Sequence, residues 1–341
     1  MLDIATEEQL DEALSRPGDA VVDMMQRIAG DIIILGAAGK MGLTLARMAA
    51  RAVADAGVSK KVLGVARFSD PDARAALDAH GVETLRCDLA DPEAVMALPE
   101  APNVLFMVGR KFGTAGAEPL TWGLNTLTAA NAARKYAASR IVAFSTGCVY
   151  PLADVPGKGC DEHTPPDPVG EYAQACLGRE RIFQYFSEIN GTPILLYRLN
   201  YAIDLRYGVL HDIAQWVWTE QPVPLNVPAF NCLWQRDANE RALLCLEHCD
   251  SPAVPLNVTG LETIDVRTTA EQLADRLGRN VRFAGEPGAR AYLADASESV
   301  RRFGPPTTST QQMIAATAAW IKQGGISLDK PTHFEVSNGT Y

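Results

Sequence analysis

The 341-residue chain has no apolar run long enough to cross a membrane, and residues 1–30 have neither the basic start nor the apolar middle of a signal peptide. Both absences lead us to expect a cytoplasmic protein with no membrane partner. Positive charge is in deficit: 31 Lys and Arg against 41 Asp and Glu leave −10, which argues against nucleic acid as a partner. The cysteines show no disulfide framework. Cys87, Cys148, Cys160, Cys176, Cys232, Cys245 and Cys249 make an odd count at irregular spacing, so reduced thiols are expected. Cys245 and Cys249 flank His248 in metal-ligand fashion, but no second ligand cluster accompanies them, and we expect buried helix cysteines and no metal. Repeats and low-complexity segments are missing too. What remains is an acidic chain, 47% hydrophobic and too long for one compact core, so a large domain with a smaller companion is expected.

The chain is organised around Asp31 to Gly42, DIIILGAAGKMG. Ile32, Ile33, Ile34 and Leu35 are apolar on both faces, as a central parallel strand covered by helices must be. Gly36, Gly39 and Gly42 then supply a tight turn, a backbone that a pyrophosphate can approach, and close helix packing. The residues that follow have helical apolar spacing, so the helix N-terminus would face the anion. A dinucleotide site is the reading that fits.

Before this strand, Thr6 and Gln9 form a capping-box pattern and Pro17-Gly18 breaks the helix it opens, giving a helical extension over 1–30. After it, strands are expected at 61–68, 83–89, 103–108, 140–144 and 193–201, separated by helical segments. The end of the second strand, Ala66-Arg67-Phe68-Ser69, carries no carboxylate until Asp70. An NAD-preferring site usually has one there to hold the ribose hydroxyls, so NADP is favoured over NAD, with a solvated Arg67 as the plain alternative. Lys40 would add a second cation at the adenosine end, and Asp88 could touch the adenine. Arg110 and Lys111 follow the fourth strand, where parallel sheets bind ligands; they would meet an anionic group or lie in a solvated loop. A capped last helix is expected near 308–323, and Asn338-Gly339 suggests a small hairpin in the tail 326–341.

Taken in order, these motifs resemble the extended short-chain dehydrogenase/reductases of the NAD(P)-dependent epimerase/dehydratase family over about residues 31–322. GAAGKMG is similar to that family's glycine loop, Asn125 to the asparagine of its fourth helix, and Ser145 to Tyr150 to its catalytic Ser/Thr segment. Tyr172, 26 positions after Thr146, matches the catalytic tyrosine, while Arg198, Asn200, Asp237 and 256–260 match later signatures. The resemblance implies an α/β fold: a Rossmann-type doubly wound parallel sheet at 31–203 and a smaller α/β substrate region at 204–325, to which some strands of the main sheet could belong. It also implies cofactor contacts at Gly36, Gly39, Lys40, Met41, Gly42, Ala66, Arg67, Asp88, Leu89, Val108, Gly109 and Asn125. Thr146, Tyr172 and Ser145 would be catalytic, and the helices at 121–138 and 171–189 would form a homodimer.

Hydride transfer at a carbinol needs a proton acceptor for the oxygen. A tyrosine, ordinarily near pKa 10, serves only if positive charge lowers it. The family places a lysine four residues on; here that position is Cys176. Three outcomes stay open: another cation, Lys111 or Arg110, replaces the lysine; a different base acts; or the protein binds a dinucleotide with little turnover. A covalent role for Cys176 is also conceivable. The family's diphosphate-clamping arginine, expected near Phe230-Asn231, is absent. A small sugar acid or hydroxy acid, held by Arg110, Lys111, Asn200 or Arg206, is therefore the expected substrate, with a nucleotide-sugar as the alternative.

Overall fold

A computed structural model describes residues 2–111, 113, 116–337 and 339. Seven strands form one all-parallel sheet: β1 (Ile32–Leu35), β2 (Val62–Ala66), β3 (Glu83–Arg86), β4 (Asn103–Phe106), β5 (Arg140–Thr146), β6 (Ile194–Leu199) and β7 (Val254–Val258). Their order is β7-β6-β5-β4-β1-β2-β3. The direction of winding reverses between β1 and β4, so a crevice opens beyond their C-terminal ends. The aliphatic run of β1 is fully buried, as two covered faces require.

The helices fall on both faces. On one side α2 (Asp19–Arg27), α3 (Lys40–Asp55) and α9 (Gln235–Leu244) bury Met24, Met25, Leu45, Met48, Ala238 and Leu243 against the sheet. On the other, α6 (Glu118–Lys135) and α7 (Gly170–Asn190) bury Ala129, Ala133, Tyr136 and Phe183. A second core joins α1 (Glu7–Ser15), α8 (Val209–Trp218), α10 (Val266–Leu277) and α12 (Thr310–Lys322) around Leu10, Leu14, Ile213, Trp234, Leu273 and Trp320. The capping box at Thr6 and Gln9 forms, and the extension packs into both cores.

One strand of the sheet comes from the 204–325 region, an outcome the sequence leaves open, and one expectation, the tail hairpin, changes. The sheet draws its edge strand from residues 254–258, well beyond 203, because the Leu256 and Val258 side chains find their apolar cover there. The tail at 326–337 makes no strand; it runs as an irregular strap, with Phe334 buried against Trp216 and Phe230. Of the hairpin's turn pair, Asn338 lies outside the described residues.

Candidate functional site

Two adjoining cavities open at the winding reversal. The first, about 270 Å3, is lined by Gly36, Ala38 and Gly39 of the glycine loop, Ala66 to Ser69 after β2, Cys87 to Leu89 after β3, and Met107 to Gly109 after β4. Gly36 sits at φ +95, and a Cβ there would press on the Val108 backbone. A Cβ on Gly42 would lie 2.6 Å from the Ala37 carbonyl, so the loop closes onto α3 only with glycine present. Gly39, the N-cap of α3, provides no side-chain cap, and the first amides of the helix are left for an anion. This side-chain-free cradle fits a dinucleotide pyrophosphate. Arg67 and Ser69 line the adenosine end; the Asp70 carboxylate instead caps α4 (Pro71–Asp78) through the Asp72 amide.

The second cavity, about 180 Å3, collects Lys40, Met41, Lys111, Ser145, Thr146, Cys148, Tyr172, Asn200, Tyr201 and Tyr207, with Thr332 of the tail as part of its wall. Thr146 and Tyr172 therefore come together as the sequence suggested. Burial, with smaller contributions from the Cys176 and Cys148 thiols, pushes the Tyr172 phenol well above its ordinary pKa; Arg179 offsets only part of this.

Arg179 is the cation that sequence reasoning missed. It is 5% exposed, and its guanidinium donates to the Val108 carbonyl at 2.8 Å, to Asn125 Oδ1 at 3.2 Å and to Cys176 Sγ at 3.4 Å. Its signal was available: 172, 176 and 179 follow helical spacing along one face of α7. Burial pushes the Cys176 thiol up, with Arg179 and Tyr172 acting against it, and the sulfur stays protonated.

Several expected roles are corrected. Lys40 does not reach the adenosine end: its Nζ is 3.4 Å from the Ala202 carbonyl and 4.1 Å above the Tyr207 ring. Met41 likewise lines the second cavity rather than the first. Arg206 is not a substrate cation, because Asp204 at 2.9 Å and Asp11 at 2.9 Å already pair with it. Arg110 turns to the Gly113 carbonyl and lines neither cavity. Asn125 is fully buried, bonded to Thr121, Arg110 and Arg179; it braces the loop after β4 and touches neither cavity. Ser145 touches the cavity, but its hydroxyl donates to Glu180 at 2.5 Å. Glu180 in turn pairs with Arg198 at 2.7 Å inside the core, and Arg198 donates to the Tyr150 hydroxyl. Asn200 donates to Asn231 Oδ1 at 2.6 Å and to the Tyr292 carbonyl, so the expected substrate asparagine is tied to the position where the clamping arginine would stand. Lys111 does face the cavity, 3.5 Å from the Tyr207 hydroxyl.

Cys245 is buried in the first core and the Cys249 thiol donates to the Ile141 carbonyl; among the described residues no group of three or more metal-ligating side chains assembles. No helix among them is long and apolar enough to cross a membrane.

The family model described as "NAD dependent epimerase/dehydratase family" matches residues 32–202, half of the chain and all of its nucleotide half-sheet up to β6. The chain belongs to the NAD dependent epimerase/dehydratase family. As a member of that epimerase/dehydratase family it is an enzyme, with NAD or NADP as its dinucleotide. Solved structures agree on the fold. A UDP-galactose 4-epimerase is 21% identical with a TM-score of 0.66, covering 84% of this chain and 97% of its own. The dTDP-glucose 4,6-dehydratase DesIV from Streptomyces venezuelae, with NAD bound, is 16% identical with a TM-score of 0.73, covering 86% and 97%. A UDP-glucose 4-epimerase from Thermotoga maritima, with UDP-glucose, is 15% identical with a TM-score of 0.70, covering 86% and 99%. No curated protein sequence matches the chain closely enough to count as a relative. Tyr172, Cys176 and Arg179 stand in sequence along one helix.

Proposed function

We propose that the enzyme moves a hydride between a carbohydrate carbinol and NADP, in an epimerase, dehydratase or reductase cycle. The observation that carries this reading is that chain neighbours divide between the two cavities: Gly39 and Gly109 line the first, the dinucleotide cradle, while Lys40 and Lys111 line the second together with Thr146 and Tyr172. In that space the Thr146 and Tyr172 hydroxyls would hold the reacting oxygen. Bound in the cradle, the dinucleotide supplies the hydride acceptor. Gly36, Gly39 and the first turn of α3 would hold its pyrophosphate, and Arg67 with Ser69 a 2′-phosphate. The lack of a carboxylate facing the cavity at the end of β2 is what favours NADP.

A nucleotide-sugar is the substrate class that the structural neighbours favour, since UDP- and dTDP-sugar enzymes share this fold. A second reading, a small sugar acid or hydroxy acid, is favoured by one local feature. The clamp position holds Asn231, tied to Asn200 and to the Ala294 carbonyl, while Lys40 and Lys111 both line a cavity of about 180 Å3. Ligand pockets commonly start near ~300 Å3. Calorimetric titration separates these readings. Micromolar binding of UDP or dTDP supports the nucleotide-sugar; no binding of either, with sugar acids binding in the presence of NADP, supports the small acid. The same titration with NADP and NAD should show NADP binding at least tenfold tighter, and equal affinities would remove the role given to Arg67.

We also expect a homodimer through α6 and α7, which leave Leu120, Leu127, Tyr185 and Ile189 about half exposed. Light scattering should give twice the chain mass, and Leu127→Glu with Ile189→Glu should give a monomer. A monomeric wild type would count against this interface.

A further inference from the structure

Among the described residues no Asp or Glu lines the second cavity, while two lysines do: Lys40 at the first position of α3 and Lys111 on the loop after β4. Both ammonium groups meet the same phenol. Lys40 Nζ lies 4.1 Å above the centroid of the Tyr207 ring and 3.4 Å from the Ala202 carbonyl, and Lys111 Nζ lies 3.5 Å from the Tyr207 hydroxyl. We propose that this pair holds a carboxylate carried by the sugar itself, in the same cavity as the carbinol, so that the substrate is a sugar acid, free or linked to a nucleotide. This assignment rests on the hydride-transfer reading above and adds the charge of its substrate.

The carboxylates near the lysines are engaged elsewhere. Asp204, 1% exposed, accepts from Arg206 Nε at 3.1 Å and Nη2 at 2.9 Å, and Asp212 accepts from the Thr332 amide at 2.8 Å and hydroxyl at 2.6 Å. Neither lines the cavity. Lys40 is met instead by a carbonyl and an aromatic face, contacts that hold an ammonium without neutralising it. Burial, with repulsion from Arg206 and Lys111 against the pull of Asp204, lowers its pKa to about 7, and an anion between the two lysines would offset that repulsion. A carboxylate has two oxygens and can accept from both ammonium groups at once. A neutral sugar would displace water from the same groups and return no opposite charge, the costly case beside Met41, Cys148 and Leu199. Because the lysines share about 180 Å3 with Thr146 and Tyr172, the anion and the carbinol belong to one sugar unit.

The test titrates the full chain, saturated with NADP, calorimetrically with matched pairs: D-glucuronate against D-glucose, D-galacturonate against D-galactose, and UDP-glucuronate against UDP-glucose. In at least one pair the acid should bind about tenfold tighter than its neutral partner, or more. Equal affinities, or no binding, in every pair overturn the proposal, and so does tighter binding of D-glucose 6-phosphate than of every acid. Lys40→Gln and Lys111→Gln should each cut the preference below about threefold by weakening the acid, with the neutral sugar held within about threefold of its wild-type affinity. A preference that survives in either variant overturns the lysine pair as its source. Where a variant loses both ligands through misfolding, the wild type decides. Its isotope-labelled dimethyl-lysine signals for residues 40 and 111, assigned with Lys40→Arg and Lys111→Arg, should both shift with the acid and stay in place with the neutral partner; signals that ignore the acid overturn the proposal. An acid preference that both Gln variants erase, with no nicotinamide absorbance change for any pair, keeps this site and overturns hydride transfer. Equal absorbance changes with acids and neutral sugars keep hydride transfer and overturn the site.

Discussion

Cys176 lies one helical turn after Tyr172 and is fully buried, among Val149, Tyr150 and Tyr172. A covalent role would need a thiolate with access to substrate, and its thiol is pushed up instead. Cys176→Ala should therefore keep kcat within about threefold, because what is lost is a buried sulfur's contacts to Arg179 and the Tyr172 hydroxyl; a fall beyond a hundredfold would count against this. The Arg179 guanidinium was harder to foresee than the missing lysine. Helical spacing puts it on the right face, but only the loop after β4, folding back beside Gly109, makes the Val108 carbonyl its acceptor. Lys40 was legible as a site residue and illegible as to which end it serves. Its place in the loop follows from the glycines, whereas its direction depends on Ala202 and Tyr207, more than 160 residues away in the chain. Arg206 shows the same limit: an arginine beside a cavity reads as a ligand for substrate until Asp11 arrives from α1.

At the scale of elements, the sequence carried the nucleotide half almost whole. A strand buried on both faces, a glycine turn and an amphipathic helix are local patterns, and β1 and α3 form where they are expected. The same locality makes the loop easy to break. Gly42→Ala would set a methyl group 2.6 Å from the Ala37 carbonyl and 2.7 Å from the Gly36 carbonyl, so loop and helix must part. NADP affinity should fall by more than tenfold in a fluorescence titration while far-UV circular dichroism stays close to wild type; unchanged affinity would show that the loop has slack. The later elements were less legible because their partners are remote. The Ala229-Phe230 strand pairs antiparallel with Ile264-Asp265, and Leu233-Trp234 pairs with Ala202-Ile203, in two-residue ladders too short to leave a periodicity.

At the scale of the whole molecule, the second cavity is assembled from distant parts of the chain. Asp11 of α1 steadies Arg206, the Leu328 amide donates to the Arg206 carbonyl, and Thr332 is held by the Asp212 carboxylate at 2.6 Å and 2.8 Å. Phe334, 1% exposed, pins the strap into the second core, and Gly339 packs backbone to backbone against Gly170, two residues before Tyr172. Removing residues 326–341 should leave NADP affinity within about twofold, since no residue of the strap lines the first cavity. The substrate KM should rise at least tenfold, because the wall that Thr332 gives would be gone. A truncated protein with unchanged KM would show that the strap is packing alone.

The strap also sets an order of events during synthesis. The glycine loop leaves the ribosome about 290 residues before Thr332 does, and β1 to β6 can pair and close a dinucleotide cradle in that interval. A nascent chain would thus acquire its affinity for cofactor well before it has a finished place for substrate.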